Sequence, residues 1–512
     1  MKKLLKILLS RAVIFSALIL MQVISILCLI WGIGKIYTNI YILLEVISFI
    51  LAIYIINGDK NPSYKLPWLL VMLVIPLFGS FFYLFFGIRH SNTQSKKRIQ
   101  NNKERCNKYL TCNMDIKEKI KNDDLLYYKH SKYLTDYSYY PPYDNSYCEY
   151  FSVGELKFCK LIEELKKAKK FIFLEYFIIK KGFMWGKILD ILEEKAKEGV
   201  DVRIIYDDFG CLFSLPSNYN KILACKGIKC QIFNQLVPFI NIYLNHRDHR
   251  KIAVIDGEVA FVGGTNLADE YVNVNCKLGH WKDSDIMIKG DSVWSFTVMF
   301  LQNWNFFKSY DKDWNIFKAT KHEVKEEYKN NGYIQPFGDL PICSENISEN
   351  TYKNLINSAK KYVYITSPYL IIDNEMQETL ILAAKNGIDV RIITPKIPDK
   401  KYINLVTKAF FPKLIEAGIK IYLYTLGFIH SKIMIVDDVV GVIGTANMDY
   451  RSFYLHFETG VWLYKADVLK DIKEDFLETV NKSEEVSLQQ LANMNIFVKI
   501  YQSILRIFSS MM

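Results

Sequence analysis

The distribution of hydrophobic residues divides the chain into an apolar beginning and a longer part in which apolar and polar positions alternate. Three apolar stretches, 12–34, 40–56 and 66–87, crowd into the first 90 residues. Each is close to the ~20 apolar residues that cross a bilayer core. The pattern predicts an N-terminal helical transmembrane region over residues 1–90 and a basic linker over 91–150.

Basic residues on both sides of this region constrain its topology. Four precede the first stretch and seven follow the third: Lys2, Lys3, Lys6, Arg11, Arg89, Lys96, Lys97, Arg98, Lys103, Arg105 and Lys108. The positive-inside rule places both clusters in the cytosol, which requires an even number of crossings. Pro76 and Gly79 interrupt the third stretch, so two and three crossings both remain open. We expect everything after residue 90 to face the cytosol.

The remainder of the chain is an internal repeat. Residues 168–175 and 199–205 resemble residues 359–366 and 387–393. Within each copy, short β-branched and aromatic runs alternate with helical patterns at 185–197 and 374–385, which is typical of an α/β sandwich. The sequence therefore predicts two α/β lobes, 151–320 and 321–512. The second ends in an amphipathic helix over 496–512, which either lies at a membrane interface or packs on the core.

The same motif occurs once in each copy. His249, Lys251 and Asp256 precede Asn266 with the spacing by which His430, Lys432 and Asp437 precede Asn447, and the two histidines lie 430 − 249 = 181 positions apart. Apolar runs at 252–255 and 433–436 predict buried strands that carry the motifs. Residues i and i+2 of a strand point the same way, so each histidine and its lysine are predicted to reach one ligand.

These residue types suit the cleavage of a phosphodiester. One histidine can attack phosphorus while the other protonates the leaving oxygen, and the phosphohistidine formed can be captured by an alcohol or by water. Lys251, Lys432, Asn266 and Asn447 are predicted to bind the phosphate oxygens. No cofactor is required, and no grouping of acids and histidines in the sequence suggests a metal cluster.

A carboxylate is expected to orient each histidine through its remote ring nitrogen. We predict Asp283 as the partner of His249 and Glu458 as the partner of His430, with Glu175 and Glu270 as weaker rivals.

Asp256 and Asp437 belong to the repeated motif and are therefore included in the candidate catalytic set. Each lies seven positions after its histidine, just past the predicted strand, where alternation points it away from the lysine. This position favours a structural contact with the backbone or a basic neighbour over direct catalysis.

Composition narrows the class of partner. The net charge of +11 favours an anionic partner, either nucleic acid or an anionic membrane surface. The ten cysteines form no CxxC pair and no metal-ligand spacing, so they are expected to be reduced, as in the cytosol. The apolar N-terminal stretches favour the membrane over nucleic acid.

At these motifs the chain resembles the phospholipase D superfamily, and within it the bacterial cardiolipin synthases. The similarity extends over 245–251, 263–271, 427–432, 444–452 and the segment from Lys65 to Gly87. It implies a bilobed enzyme of the bacterial cell membrane that transfers a phosphatidyl group between two phosphatidylglycerol molecules, giving cardiolipin and glycerol. It also implies that His249 attacks and that His430 protonates the departing glycerol.

Two positions depart from the family pattern: Asn303 stands where an acid is common, and 334–339 lacks a usual Ser-Gly-Pro. Three rival functions remain: a phosphatidyltransferase or hydrolase with another acceptor, a nuclease of the same superfamily, and a non-catalytic scaffold. The membrane segments disfavour the nuclease, and the two complete motifs disfavour the scaffold.

Overall fold

The computed structural model describes residues 35–58, 61–87, 104–105, 107–235, 246–306, 311–319, 332–341 and 345–511. The chain divides into two compact units, which are described separately. The first contains residues 1–92, 236–245 and 503–512, and the second contains 93–235 and 246–502.

Helices of the first unit pack around Trp68. They are α1 (Lys35–Asn57), α2 (Pro62–Val74), α3 (Pro76–Phe82) and a π-helical turn at Tyr83–Gly87. Asn61 caps α2 by accepting the backbone N–H of Ser63, and Pro62 occupies the first helical position, where its missing N–H costs nothing. The Trp68 ring lies 5.2 Å from that of Phe82 and 5.4 Å from that of Tyr83.

The predicted transmembrane region is not supported by these helices. The first apolar stretch, 12–34, lies outside the described residues. The second lies within α1, and the third is divided at Ile75, before Pro76, into α2 and α3. Over the residues that the structure describes, we find no helix of sufficient length and apolar character to cross a membrane.

The second unit contains two large sheets, one per repeat. The first has the strand order β1-β9-β7-β6-β2-β3-β4. Its strands are β1 (Ser146–Phe151), β2 (Phe171–Tyr176), β3 (Asp201–Asp207), β4 (Lys229–Phe233), β6 (Lys251–Ile255), β7 (Val259–Gly263) and β9 (Asp285–Gly290). The short β5 (Arg247–Asp248) and β8 (His280–Lys282) lie outside this order.

The second sheet has the order β10-β19-β17-β16-β11-β13-β14-β20, with β5 paired to β19. Its strands are β10 (Tyr333–Asp339), β11 (Tyr362–Thr366), β13 (Asp389–Pro395), β14 (Lys420–Tyr424), β16 (Ile433–Val436), β17 (Val440–Gly444), β19 (His456–Tyr464) and β20 (Ser483–Glu485). Three short strands complete the set: β12 (Leu370–Ile371), β15 (Gly427–Ile429) and β18 (Met448–Asp449).

The two sheets repeat one topology. In the first, β2 runs parallel to β3 and antiparallel to β6, and in the second β11 runs parallel to β13 and antiparallel to β16. The motif strands β6 and β16 therefore occupy equivalent central positions. The prediction of duplicated α/β lobes is confirmed.

Helices flank both sheets. They are α4 (Met114–Asp123), α5 (Leu125–Tyr133), α6 (Gly154–Lys167), α7 (Phe183–Lys197), α8 (Asp208–Cys211), α9 (Tyr219–Ala224), α10 (Val293–Trp304), α11 (Ile347–Ser358), α12 (Asn374–Lys385), α13 (Lys401–Lys408), α14 (Phe411–Glu416), α15 (Tyr450–Tyr454), α16 (Val468–Asn481) and α17 (Leu488–Ala492). A last helix, α18 (Ile496–Ile507), begins in the second unit and ends in the first. On α18 the apolar residues Ile496, Phe497, Ile500 and Ile504 are exposed.

Helix α10 joins the lobes through an apolar core. All of its residues are buried. A single apolar cluster contains Phe300 of α10, Phe173 of the first sheet and Ile435 of the second. The rings of Phe173 and Phe300 stack with centroids 4.5 Å apart. This shared core fixes the two motif strands relative to each other.

The predicted linker contains ordered structure. Helices α4 and α5 lie within residues 91–150, and strand β1 spans the proposed boundary at residue 150. Strand β1 pairs antiparallel with β9 along its whole length, from Ser146 opposite Gly290 to Phe151 opposite Asp285. Part of the predicted linker is therefore the edge of the first sheet.

Candidate active site

Each motif histidine lies in a short irregular segment just before a central strand. His249 falls between β5 and β6, and His430 falls between β15 and β16. The prediction that both histidines lie on the strands is therefore wrong, although Lys251 begins β6. The irregular segments arise because β5 and β15 leave their own sheet and pair with the opposite lobe.

This pairing crosses the lobes in both directions. Strand β5 runs parallel to β19 of the second lobe, and β15 runs parallel to β8 of the first. Two backbone hydrogen bonds extend the crossing to the histidines: the N–H of His249 donates to the Phe457 carbonyl (2.9 Å), and that of His430 donates to the Lys282 carbonyl (2.7 Å). Each histidine is thus anchored to the other lobe.

The residue after each of these carbonyl acceptors supplies the carboxylate, Glu458 on β19 and Asp283 just past the end of β8. His249 Nδ1 lies 2.9 and 3.0 Å from the two carboxylate oxygens of Glu458, and His430 Nδ1 lies 2.7 Å from Asp283 Oδ2. Both carboxylates are completely buried. The predicted pairing of Asp283 with His249 and Glu458 with His430 is wrong, because it assumed that each half completes its own histidine.

The rival carboxylates make other contacts. Glu175 lies 3.5 Å from the Arg250 guanidinium, and its Oε1 accepts a hydrogen bond from Asn303. Glu270 accepts from Lys180 at 3.4 Å. Neither contacts a motif histidine.

Burial keeps both histidines neutral. Desolvation, with Lys251 and Lys432 nearby, holds the pKa of each imidazole well below its usual range. A neutral ring whose Nδ1–H donates to a carboxylate carries its lone pair on Nε2. Each lysine contributes to lowering the pKa of both histidines, and His430 contributes to lowering that of His249. The four groups therefore share one electrostatic environment.

The motif lysines are buried next to their histidines. Lys251 Nζ donates to the His249 carbonyl at 2.6 Å, and Lys432 Nζ donates to the His430 carbonyl. Burial lowers the pKa of Lys251 to about 7 and that of Lys432 to about 8. An anion between the lobes would supply the negative charge that restores both ammonium forms.

The motif asparagines are buried and take part in local hydrogen bonds. Asn266 Oδ1 accepts from the Ile178 N–H at 3.0 Å, while its Nδ2 donates to the Tyr271 hydroxyl at 2.8 Å. Asn447 Nδ2 donates to Asp449 at 3.2 Å. Each amide nitrogen carries two N–H groups, so one on each remains for a ligand. Their role in phosphate binding stays a prediction.

Asp256 and Asp437 have structural contacts. Asp256 accepts from the backbone N–H groups of Lys169, Lys170 and Phe171 at 2.7 to 2.8 Å. Asp437 accepts in the same way from Lys360, Lys361 and Tyr362. The backbone contact that the sequence favoured is therefore observed for both residues, and a catalytic role for either stays a prediction. Each carboxylate ties the turn after its motif strand to the start of the neighbouring strand.

The contacts of Asn303 explain why position 303 carries an amide where the family commonly has an acid. Its Nδ2 donates to Glu175 Oε1 and to Asp248 Oδ2, both at 2.9 Å. Asp248 is completely buried directly before His249, and burial raises its pKa well above the usual value. The amide of Asn303 thus donates a hydrogen bond to each of two carboxyl groups. An ionised acid at this position would repel them.

Sequence reasoning missed a third histidine at the site. His456 lies two positions before Glu458 on β19, and its ring centroid is 5.3 Å from that of His249. The His-x-Glu spacing was the available signal, since i and i+2 of a strand share a face. The second motif histidine has aromatic neighbours instead, with Trp281 and Tyr271 each 5.5 Å from His430.

The fold also assembles groups that could hold a metal ion. Among the described residues these are His249 with His456 and Glu458, and Glu349 with Asp373 and Glu375. Two members of each group are close along the chain, His456 with Glu458 on β19 and Asp373 with Glu375 at the start of α12. The third member, His249 or Glu349, joins them only through strand pairing and helix packing.

Comparison with known proteins agrees with this geometry. A family model described as the PLD-like domain of cardiolipin synthase matches residues 161–292 and 352–480, and a model described as a phospholipase D-nuclease N-terminal region matches 46–87. The chain belongs to the cardiolipin synthase family of PLD-like proteins.

Similar proteins extend over nearly the whole chain. A Streptococcus mutans protein named only as uncharacterized is 42% identical over 88% of this chain and 96% of its own length. Two proteins named cardiolipin synthase, from Alkalihalophilus pseudofirmus and Staphylococcus aureus, are 32% and 33% identical over 90% and 93% of this chain, and over 92% and 98% of their own lengths. Members of this family are phosphatidyltransferases, and both lobes belong to the one enzyme.

A solved structure supports the fold alone. Phosphatidylserine synthase from Haemophilus influenzae superimposes with a TM-score of 0.55 at 17% identity, covering 71% of this chain and 93% of that one.

Proposed function

We propose that this protein is a cardiolipin synthase, which transfers a phosphatidyl group from one phosphatidylglycerol to the terminal hydroxyl of another and releases glycerol. The observation that carries the proposal is the pair of buried histidines, each bonded through Nδ1 to a carboxylate from the opposite lobe. The two relatives named cardiolipin synthase match this chain over 92% and 98% of their own lengths, which supports phosphatidylglycerol as the substrate.

In the first step, His249 Nε2 attacks phosphorus and the P–O bond to glycerol breaks. His430 donates its Nε2 proton to the departing glycerol oxygen. Its ring must hold that proton when the anionic substrate is bound, and the negative charge of the phosphodiester raises its pKa in the complex. Asp283 stabilises the imidazolium through Nδ1.

In the second step, the neutral His430 removes the proton from the hydroxyl of a second phosphatidylglycerol. The oxygen attacks phosphorus, the P–N bond to His249 breaks, and cardiolipin leaves. Lys251, Lys432, Asn266 and Asn447 are the proposed donors to the phosphate oxygens in both steps, where a desolvated site makes such contacts strong.

The proposed arrangement of domains follows the repeat. We assign residues 151–320 and 321–512 to the two catalytic lobes and residues 1–90 to attachment at the bacterial cell membrane, with the lobes facing the cytosol. Exposed apolar side chains on α1, among them Phe49 (68% exposed) and Ile50 (59%), support attachment to a lipid surface. The partners of the protein would be phosphatidylglycerol and other anionic lipids.

The decisive experiment is product analysis with labelled phosphatidylglycerol in vesicles, using the purified full chain. We expect cardiolipin and glycerol in equal amounts. Phosphatidic acid as the main product would mean that water is the acceptor, and a new phosphatidyl ester with an added alcohol would indicate a broader transferase.

Variants test the two histidines. His249→Ala and His430→Ala should each abolish product formation, whereas His280→Ala, a partly exposed histidine bonded to the Tyr424 hydroxyl, should retain it. Near-normal turnover in either motif variant would remove that histidine from the mechanism.

A further inference from the structure

His456 is a buried histidine for which the proposed reaction has no role. The residue is 7% exposed, and among the residues that the structure describes neither ring nitrogen has a hydrogen-bond partner. Leaving a buried polar atom without a partner costs about 1–3 kcal/mol, so such a group in a folded protein indicates a ligand or a water that completes it.

The neighbours of His456 define the kind of ligand. Its Nδ1 lies 3.6 Å from Glu458 Oε1, and the same oxygen lies 2.9 Å from His249 Nδ1. One ligand atom from each of the three residues lies within 4.8 Å of the others. Two imidazoles and a carboxylate are a ligand set that proteins use for Zn²⁺.

The spacing of these atoms suits such an ion. Zinc bonds to histidine nitrogen and carboxylate oxygen are about 2.0–2.2 Å long, which places tetrahedral ligand atoms roughly 3.3–3.5 Å apart. The observed separations of 2.9 and 3.6 Å bracket this range. In these two pairs the ligand atoms would need to move by only a few tenths of an ångström. The third pair, His249 with His456, lies within 4.8 Å.

We propose that His249, His456 and Glu458 bind a divalent transition-metal ion such as Zn²⁺, and that the bound ion switches off the proposed phosphatidyl transfer. The predicted inhibition rests on the proposed function, whereas the predicted binding of the ion does not depend on it.

The inhibition follows from the tautomer of His249. The neutral ring holds one proton, which in the resting site lies on Nδ1 and is donated to Glu458. An ion that takes the Nδ1 lone pair requires this proton to move to Nε2. The lone pair that would attack phosphorus is then lost, although the ring and its proton are both retained. The ion therefore acts on the nucleophile without having to occupy the phosphate position.

In the described part of the chain, His430 has no second histidine beside it that could complete an equivalent ligand set. His430 Nδ1 also contacts a carboxylate, Asp283, but its ring neighbours are Trp281, Tyr271 and Phe428, which offer no imidazole nitrogen. The two halves of the duplicated site are therefore distinct, and only the His249 half is expected to respond to metal.

Metal binding is tested directly with Co²⁺ as a spectroscopic probe on the purified full chain. We expect visible ligand-field absorption, displaced by Zn²⁺ and saturating at one ion per chain. His456→Phe keeps the ring next to His249 but removes both nitrogens, and should lose this signal, whereas His280→Phe should keep it. Melting temperatures of both variants show whether each has folded, and His456→Gln provides a second variant if the Phe variant has not.

Activity is measured separately, as the ratio of the rates of each variant with and without Zn²⁺. Loss of a residue that only hydrogen-bonds a metal ligand already lowers metal affinity by about 10- to 100-fold. Because His456 is proposed as a ligand itself, His456→Phe should require at least that much more Zn²⁺ for half inhibition. A chelator should restore the rate of the unmodified protein.

The outcomes distinguish the two proposals. Cobalt absorption that persists in His456→Phe, or that never appears in an active enzyme, overturns the metal site and leaves the proposed function intact. Absorption that depends on His456 in a protein that makes no lipid product supports the metal site and rejects the function. Equal zinc sensitivity of the unmodified protein and His456→Phe would show that inhibition arises elsewhere.

Discussion

Glu458 and His249 lie 209 positions apart and are joined by hydrogen bonds of 2.9 and 3.0 Å from the histidine Nδ1. The contact forms because β5, just before His249, pairs with β19, which carries Glu458. The mirror contact, His430 with Asp283, forms through β15 and β8. Neither half therefore orients its own histidine, and catalysis is expected to require both lobes.

Removing the negative charge of Glu458 should strongly reduce turnover. Gln at this position can present its amide N–H to His249 Nδ1 and so favour the wrong tautomer. In a serine-protease triad the equivalent change costs about 10⁴ in kcat. We expect a loss of at least about 10³ in kcat for Glu458→Gln, measured as cardiolipin formed at saturating phosphatidylglycerol.

The matched control is Glu270→Gln. Glu270 contacts Lys180 and not a motif histidine, so its kcat should change by less than about threefold, as for most surface substitutions. A large loss in this variant, or a small one in Glu458→Gln, would contradict the assignment.

Asp256 should matter for stability more than for chemistry. Asp256→Ala removes an acceptor from three backbone N–H groups, each contact being charge-assisted. Because the N–H groups of Lys169 and Lys170 can return to water, we expect the free energy of unfolding to fall by roughly 2–4 kcal/mol. Chemical denaturation measures this loss.

Asp256→Asn is the control for backbone strain. Position 256 has φ of +54°, which asparagine tolerates better than alanine. The Asn variant should lose less stability than the Ala variant, and kcat below the unfolding range should stay within about threefold of normal in both. A loss of kcat without a loss of stability would keep Asp256 in the catalytic set.

The proposed phosphate contacts of Lys251 and Lys432 predict a fall in activity at alkaline pH. Burial lowers the pKa of Lys251 to about 7 and that of Lys432 to about 8, so the free enzyme loses first one ammonium and then the other as the pH rises through these values. The value of kcat/KM, which reports the free enzyme, should therefore decline over this pH range. Lys432→Arg remains charged and should lose the part of the decline near pH 8 while keeping the part near pH 7 that Lys251 causes, even if its absolute rate is lower.

Stability should change in the opposite direction with pH. The unfolded chain holds the Lys432 proton up to its ordinary pKa of about 10.4, whereas the folded chain releases it near 8. Between these values the unfolded state binds more protons, so this group makes unfolding less favourable as the pH rises. Lys432→Met has no titrating group at this position, so its free energy of unfolding, measured by chemical denaturation at several pH values, should rise less between about pH 8 and about pH 10.4.

Asn303→Asp should destabilise the second unit. The variant loses the donor that joins Glu175 to Asp248 and adds a third carboxylate in a buried position. We expect a loss of roughly 3–5 kcal/mol at neutral pH. The loss should shrink as the pH is lowered, because the introduced carboxyl group can donate a hydrogen bond once it is protonated. A variant as stable as the unmodified protein at neutral pH would show that the carboxylates share a proton instead.

The sequence alone determined the duplication, the α/β character of both lobes and the candidate reacting groups. These features are local: the repeat preserves residue order, apolar runs mark buried strands, and the spacing of His249 and Lys251 recurs at His430 and Lys432. Even the structural role of Asp256 followed from its position relative to one strand.

Only the tertiary structure decided which carboxylate serves which histidine. Spacing along the chain favoured partners within each half, but β5 and β15 cross to the opposite sheet and bring Glu458 to His249 and Asp283 to His430. The same crossing places His456 beside His249 and makes the halves unequal. Strand pairing between distant segments depends on the packing of the whole core around α10, which no local pattern records.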